Sequence, residues 1–495
     1  MLSLPSITFR TPECLERLNV EMLALKTVKE LVDKAVETGD IYCAAAVYNI
    51  ANSEQRMVLE GIMFGKRRDA LALARWEHTP ADVLNALCSL GVGDTAVAVR
   101  LDKNHNTPAQ AIAQLYDAEK IKVKKNANFT VLIAQHQHTP IKVLEAIVEF
   151  VDDIESLKAV SKNPAANSQV LSILLARTVN NLMNAVIIKN IAANPSASAD
   201  LLTVIYTKGD AYVRTAVLVH ENCSLVLIET AIRDVASAPI ELQRQVAKYN
   251  RLNIDVLTSL AASQDKAVRC GVAANLTLPK VLVKQLLNDE SHVVRRAIAA
   301  RADLTATSIE RLMKDKDHWV RQWLARNLII SCKVLKKLSV DPQADVRRAV
   351  ARNSRCSAEV LSVLAKDKDA WVRSAVAYQK NSPKHLMEAM ADDTDIDVLS
   401  GVANNPHTPQ RILQKLITSP KADIRRGVIL NHKATRKTLL PLLEDAYYLH
   451  RLMLVGSAVL MDRDKWQLCD DPDFQVRFTA YQYFAKKFKK EICND

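Results

Sequence analysis

Apolar positions along the second half of the chain recur with a fixed period. Val272, Ile298, Leu324, Val350, Val376, Val402, Val428, Leu454 and Ala480 stand 26 residues apart. Four residues before each lies Val268, Val294, Val320, Val346, Val372, Val398, Ile424, His450 or Val476. The i, i+4 spacing predicts a short helix with one buried stripe. The second half of each unit opens with Ser or Thr, often followed by Pro, and then a leucine pattern, as in Ser357 to Leu361 and Thr408-Pro409 to Leu413. It predicts a second helix, its first turn capped by the hydroxyl and its first position tolerant of Pro. The same reading covers His78-Thr79-Pro80, His138-Thr139-Pro140 and His407-Thr408-Pro409, with each histidine closing the preceding helix.

Equivalent apolar positions run backward through Val246, Val217, Ile191, Val160, Ile133, Leu101 and Leu73, at spacings stretched to between 26 and 32 residues. The template fits 16 times. A two-helix unit repeated so often predicts an all-α, right-handed solenoid in which each repeat contacts its neighbours. Residues 61–485 form the array, residues 1–60 a helical cap built from Pro12 to Glu37 and Ile41 to Asn52, and residues 486–495 a basic, frayed tail.

An arginine follows the first apolar position of most units. On a wheel of about 100° per residue with Val350 at zero, Arg347 falls near +60°, on the margin of the buried stripe. There its stem packs and its guanidinium reaches an acid on its own or the neighbouring repeat. Asp four residues earlier is the favourable orientation for an i, i+4 pair. Asp265, Arg269, Asp317, Arg321, Arg347, Asp369, Arg373, Asp473 and Arg477 are therefore expected to form a structural ladder. Arg348 and Arg352 fall opposite the core, where the fold requires nothing. The corresponding columns hold Arg296, Arg326 and Tyr378, and a third holds Trp319 and Trp371 with Asp345 between them. Trp323 stands in a column of Ala297, Ala349, Ala375, Gly401 and Gly427 and reads as a local core filler.

The phrase Asp-x-x-x-Val-Arg, at Asp265 to Arg269, Asp317 to Arg321, Asp369 to Arg373 and Asp473 to Arg477, resembles HEAT-like repeats. The 26-residue unit with Asn-Pro junctions at Asn163-Pro164, Asn194-Pro195 and Asn405-Pro406 is similar to the leucine-rich-repeat-variant family of two-helix solenoids. The resemblance implies that the Val-Arg helices line a concave surface presenting Arg296, Arg326, Arg348 and Arg352 interleaved with Trp319, Trp371 and Tyr378. It covers scaffolds, adaptors, bilin lyases and alkylpurine DNA glycosylases alike, so it implies architecture and leaves function to the surface. The cysteine-bound iron–sulfur cluster of the variant-repeat family is not carried over, because only Cys14 and Cys43 precede the repeats.

Charge points to the same region. The chain carries a net +12, and residues 265–365 contain 19 Lys or Arg against 10 Asp or Glu. Basic residues beside exposed aromatics suit an acidic protein segment or a nucleic-acid backbone. The function expected is that of a non-enzymatic scaffold or adaptor for an extended macromolecular partner, an acidic protein segment, with nucleic-acid binding as the alternative and a DNA glycosylase as a minor one. The glycosylase reading has only Trp466 and Asp470 at a suitable spacing. No Gly-rich phosphate loop, H-E-x-x-H or G-x-S-x-G occurs, and neither a cofactor nor a metal is expected. The nine cysteines form no Cys-x-x-Cys pair, and no stretch of 18 uncharged apolar residues or secretory leader is seen, so a cytoplasmic protein without a membrane partner is expected. Oligomeric state is left open.

Overall fold

The computed structural model describes residues 28–120, 127–178, 185–233, 235, 238–249 and 252–493. Every regular element among the described residues is helical, and two-helix repeats follow one another along the chain. The fold is an all-α solenoid of two-helix repeats. First helices stack on first helices: His318–Arg326 on Ala344–Arg352, that helix on Ala370–Tyr378, and that one on Ile396–Asn404. The buried stripe is the expected one, with Val346 and Val350 fully buried and Ala349 nearly so.

Short sequence devices start and stop these helices. Ser357 is the N-cap of the helix Ala358–Leu364 and accepts from the amide of Val360. Where Thr precedes Pro the device differs from the expected one. Pro80 holds the cap position itself, and the buried Thr79 hydroxyl donates backward to the carbonyl of Leu73 at 2.6 Å. Thr139 and Thr408 do the same to Ile133 and Val402. Proline has already removed an amide that a cap would serve, which frees the hydroxyl for the carbonyls left unpaired where the preceding helix ends.

Asparagine closes most first helices. Asn353 leaves the helical conformation, and its buried amide donates to the carbonyls of Ala325 and Asn327 in the preceding repeat, at 2.7 and 3.1 Å. Asn327, Asn405 and Asn431 repeat the pattern, and Gln379 and Arg301 substitute for Asn at their own steps. Each amide satisfies two buried carbonyls that would otherwise cost the desolvation of a polar group.

The arginine column bridges repeats, although not through the i, i+4 pairing. Arg347 grips Asp367 with two parallel bonds of 2.7 and 2.9 Å, and its third nitrogen donates to the carbonyls of Asp341 and Pro342. Arg269, Arg295, Arg321, Arg373 and Arg451 make the same fork to Asp289, Asp315, Asp341, Asp393 and Asp471, always twenty residues onward. The acids expected as partners do something else. Asp265, Asp317 and Asp369 are N-caps that accept from the amides two or three residues on, and Asp473 accepts from Gln475 and Val476. The forks are almost wholly out of solvent, with the side chains of Arg295 and Asp315 5% and 4% exposed. Burial pushes the Asp367 carboxyl up, but Arg347 and the amide of Asp369 outweigh it and hold it below the usual carboxylate range.

Two compact units make up the fold: residues 1–196 with 440–495, and residues 197–439. In the first, the two ends of the chain pack together. The helix Ile41–Val47 lies against the helix Phe474–Cys493, Tyr42 packs on Phe474 at 4.5 Å between ring centroids, and Trp76 meets Phe478 edge-on at the same distance. Arg477 pairs with Asp40, the N-cap of Ile41–Val47, and Lys34 pairs with Asp470. The N-terminal segment thus serves the last repeat as well as the first, which the expected one-sided cap did not include. Residues 12–27 of that cap lie outside the described residues. The expected C-terminal tail is also corrected: residues 486–493 continue the helix Phe474–Cys493, with Phe488 buried and Lys487 paired with Asp462.

One buried charge departs from the pattern. Asp102 stands where Ala74, Ala134 and Ala192 stand in other repeats. It is 3% exposed, and neither carboxylate oxygen has a hydrogen-bond partner. Burial pushes its pKa up to about 7, with Lys103 opposing. The folded state therefore holds a proton that the unfolded chain releases near pH 4, so this group's contribution to stability falls as pH rises from about 4 to about 7 and is level above. Asp102→Ala is expected to raise the melting temperature at pH 8 by clearly more than at pH 5, and equal shifts at the two pH values would refute a charged origin. Arg347→Ala is expected to cost roughly 3 kcal/mol or more in urea unfolding, since it strands a buried carboxylate. The pair Arg347→Met with Asp367→Leu is expected to cost far less than the single change.

Candidate functional site

The proposed surface residues all lie in the second unit, on four consecutive first helices. Arg296 belongs to His292–Ala299, Trp319 and Arg326 to His318–Arg326, Arg348 and Arg352 to Ala344–Arg352, and Trp371 and Tyr378 to Ala370–Tyr378. The N-caps described above place the two tryptophans. Asp317 accepts from the amide of Trp319 at 2.8 Å and Asp369 from that of Trp371 at 2.9 Å, so each indole leaves the first turn at a fixed point. Both rings are exposed, Trp319 at 43% and Trp371 at 57%.

Arginine and indole planes meet in two places. The guanidinium of Arg348 lies 5.0 Å from the centre of the Trp371 ring, and those of Arg296 and Arg326 each lie 5.6 Å from the centre of Trp323. All are within the range of a cation–π contact. Trp323 thus joins the site, which corrects its reading as a core filler. The cause lies in its column. A Cβ on Gly401 or Gly427 would stand 2.7 Å from that of Ala377 or Ala403, so adjacent helices nearly touch there. An indole has no room to stay between them and is left half-buried under the two arginines. Two facts in the sequence mark it: the one bulky residue in a column of Ala and Gly, and arginines 27 residues before and three after.

Electrostatics separates two kinds of arginine in this region. The ladder arginines each hold a carboxylate. Arg296, Arg326, Arg348 and Arg352 have no carboxylate within ion-pair distance among the described residues. Arg352 is held below the usual arginine range, first by burial and then by Arg348 and Arg326, which places these three cations close together. The Nε of Arg348 is buried and without a hydrogen-bond partner.

The structure does not draw all seven residues into one cluster. Trp319 lies against His318 at 5.0 Å, and no arginine lies over its ring among the described residues. Tyr378 faces the next repeats, where its ring rests on Gly401 and Asp397, Arg426 and Asp423 act on its hydroxyl. Its pKa is raised by burial first and by Asp397 second. The surface therefore grades from basic to mixed: Arg426 is paired with Asp423 at 3.1 Å, and Asp345, Asp397 and Asp423 are exposed.

The residues of the glycosylase reading are engaged elsewhere. Trp466 packs edge-on against Phe484 at 4.8 Å, and Asp470 is paired with Lys34. Among the described residues no cluster of three His, Cys, Asp or Glu has the arrangement of a metal site, and no helix is long and apolar enough to cross a membrane. Cys14 lies outside the described residues, and Cys43, Cys88, Cys356 and Cys469 are buried free thiols.

These features define a helical-repeat protein. No protein-family model and no curated protein matches the chain. Among solved structures it is similar to a leucine-rich repeat variant with a novel repetitive structural motif, at 24% identity and a TM-score of 0.31, over 44% of this chain and 83% of that one. It is also similar to UNC-45 from Drosophila melanogaster, at 15% identity and a TM-score of 0.16, over 91% of this chain and 63% of that one.

Exposed indoles in a positive field favour an anionic quencher. Iodide is expected to quench the tryptophan fluorescence more strongly than caesium, and Arg348→Gln with Arg352→Gln to narrow the difference. Equal quenching by the two ions in the unaltered protein would show that the field is absent.

Proposed function

We propose that this protein is a non-enzymatic scaffold or adaptor whose basic face, between Arg296 and Tyr378, binds an acidic segment of another protein. One observation carries the reading: three arginines, Arg296, Arg326 and Arg348, lie by exposed or half-exposed indoles and, like the neighbouring Arg352, have no carboxylate within ion-pair distance among the described residues. Elsewhere in the same repeats arginines are paired with bidentate precision. Trp and Arg are the residue types that most often anchor protein interfaces, and rim charges set specificity and association rate. Anchoring by indole and guanidinium needs no catalytic group, and the surface offers neither a nucleophile with its base nor a metal cluster among the described residues.

A nucleic-acid backbone is the second reading, favoured by the interleaving of rings and cations. The exposed Asp345, Asp397 and Asp423 argue against it, because a phosphodiester strand running along the repeats would pass over them. Charge reversal by Arg348→Glu with Arg352→Glu is expected to weaken binding of Glu-rich peptides at least tenfold in fluorescence polarisation at about 50 mM salt, with helicity and melting unchanged, and binding is expected to weaken again at about 200 mM. If single-stranded or duplex oligonucleotides bind submicromolar, peptides do not, and the same changes abolish that binding, the second reading replaces the first. Unchanged binding of either ligand removes these arginines from the site.

A further inference from the structure

We infer that Arg326, Arg348 and Arg352, between the rings of Trp323 and Trp371, form a subsite for a phosphate monoester, carried as phosphoserine or phosphothreonine on an acidic protein segment. The inference rests on the reading above and adds the chemistry of one contact.

Three positive charges converge from two adjacent helices, His318–Arg326 and Ala344–Arg352, and none has a carboxylate within ion-pair distance. Arg326 and Arg348 are each laid on an indole, at 5.6 and 5.0 Å from the ring centres. A guanidinium held near an indole has less side-chain freedom left to lose when an anion arrives. The buried, unpartnered Nε of Arg348 is a donor that water no longer serves. Mutual repulsion of like charges further favours a ligand that brings more than one negative charge.

A carboxylate brings one charge and two oxygens. A phosphate monoester brings between about 1.5 and 2 charges near neutral pH and three acceptor oxygens, and arginine binds it through paired N–H donors. Three neighbouring guanidiniums match the second ligand better than the first. A phosphodiester strand matches less well still: it carries one charge per nucleotide, spread along a line, and a line along the first helices meets the exposed Asp345, Asp397 and Asp423 in their first turns. A compact dianion on a flexible chain avoids them.

The test uses the full chain and two degenerate fluorescein-labelled peptide pools. Their central residue is fixed as phosphoserine or as serine, and the flanking positions are drawn from Asp, Glu and aliphatic residues. A 20-nucleotide single strand and the corresponding duplex serve as further probes, all at about 50 and 200 mM salt. The phosphoserine pool is expected to bind at least tenfold more tightly than the serine pool, and phenyl phosphate is expected to compete. Arg348→Gln with Arg352→Gln should abolish the difference between the pools. Arg352→Lys, which keeps the charge and loses the fork, should reduce it only in part and serves as the control for folding. Equal binding of both pools would overturn the phosphate subsite and leave the acidic-segment reading standing. Binding of the oligonucleotides with neither peptide pool would overturn both. A phosphoserine preference that survives in both variants would overturn the assignment to these arginines.

Discussion

The fork between one arginine and an aspartate twenty residues onward is the contact on which the regular repeats depend. It joins the first helix of one repeat to the turn before the first helix of the next, and the third nitrogen of the arginine satisfies carbonyls in the turn before its own helix. A buried pair of this kind is a poor source of net stability, since removing two charges from water offsets most of their attraction. Its consequence is register. Only one rotation and one rise bring a planar guanidinium onto a planar carboxylate while the core residues at Val346 and Val350 still face inward. Where the arginine lapses to Leu399, the neighbouring steps retain the asparagine bonds of Asn405 and Asn431 and the close approach at Gly401 and Gly427.

Register is what turns a column in the sequence into a surface. Residues 26 apart on successive first helices become neighbours, and so do residues offset by one, which is how Arg296 reaches Trp323. The aspartates that cap His318–Arg326 and Ala370–Tyr378 also fix the exit of Trp319 and Trp371. The candidate site therefore needs no special loop. It is the ordinary repeat with different residues at positions that the fold leaves free.

That division explains what the sequence made readable. The period, the buried stripe and the hydroxyl caps are local, and each leaves its mark within one repeat. The outward columns of Arg348 and Arg352 follow from helix geometry alone. The partner of Arg321 was ambiguous for a physical reason: Asp317 and Asp341 are both present at fixed offsets, and a wheel drawn on one helix sees only the first. Distinguishing them needs the distance between repeats. Trp323 looks like a filler from its column alone, and only the close approach of Gly and Ala neighbours, which needs the spacing between helices, shows that there is no space to fill. The pairing of Asp40 with Arg477 could not be read at all, since it joins residues 437 apart and no pattern of apolar positions marks it.

The two arginine populations lie side by side in the chain. Arg295 and Arg296, and Arg347 and Arg348, differ by one position and by about 100° around the helix. One member of each couple is buried against a carboxylate, and the other is stacked on a ring with no carboxylate in ion-pair reach. Solubility alone does not ask for this arrangement. Lysine would serve a solvated face with a compact, well-hydrated charge, whereas guanidinium is weakly hydrated, stacks on indole and presents paired donors. Three such groups held close together raise one another's energy, and the first ligand that relieves them is an anion with geometry to match. The fold already shows how well the chain can supply an aspartate where an arginine needs one. At Arg326, Arg348 and Arg352 no such aspartate stands within ion-pair distance among the described residues, and in the proposed complex the partner supplies that acceptor.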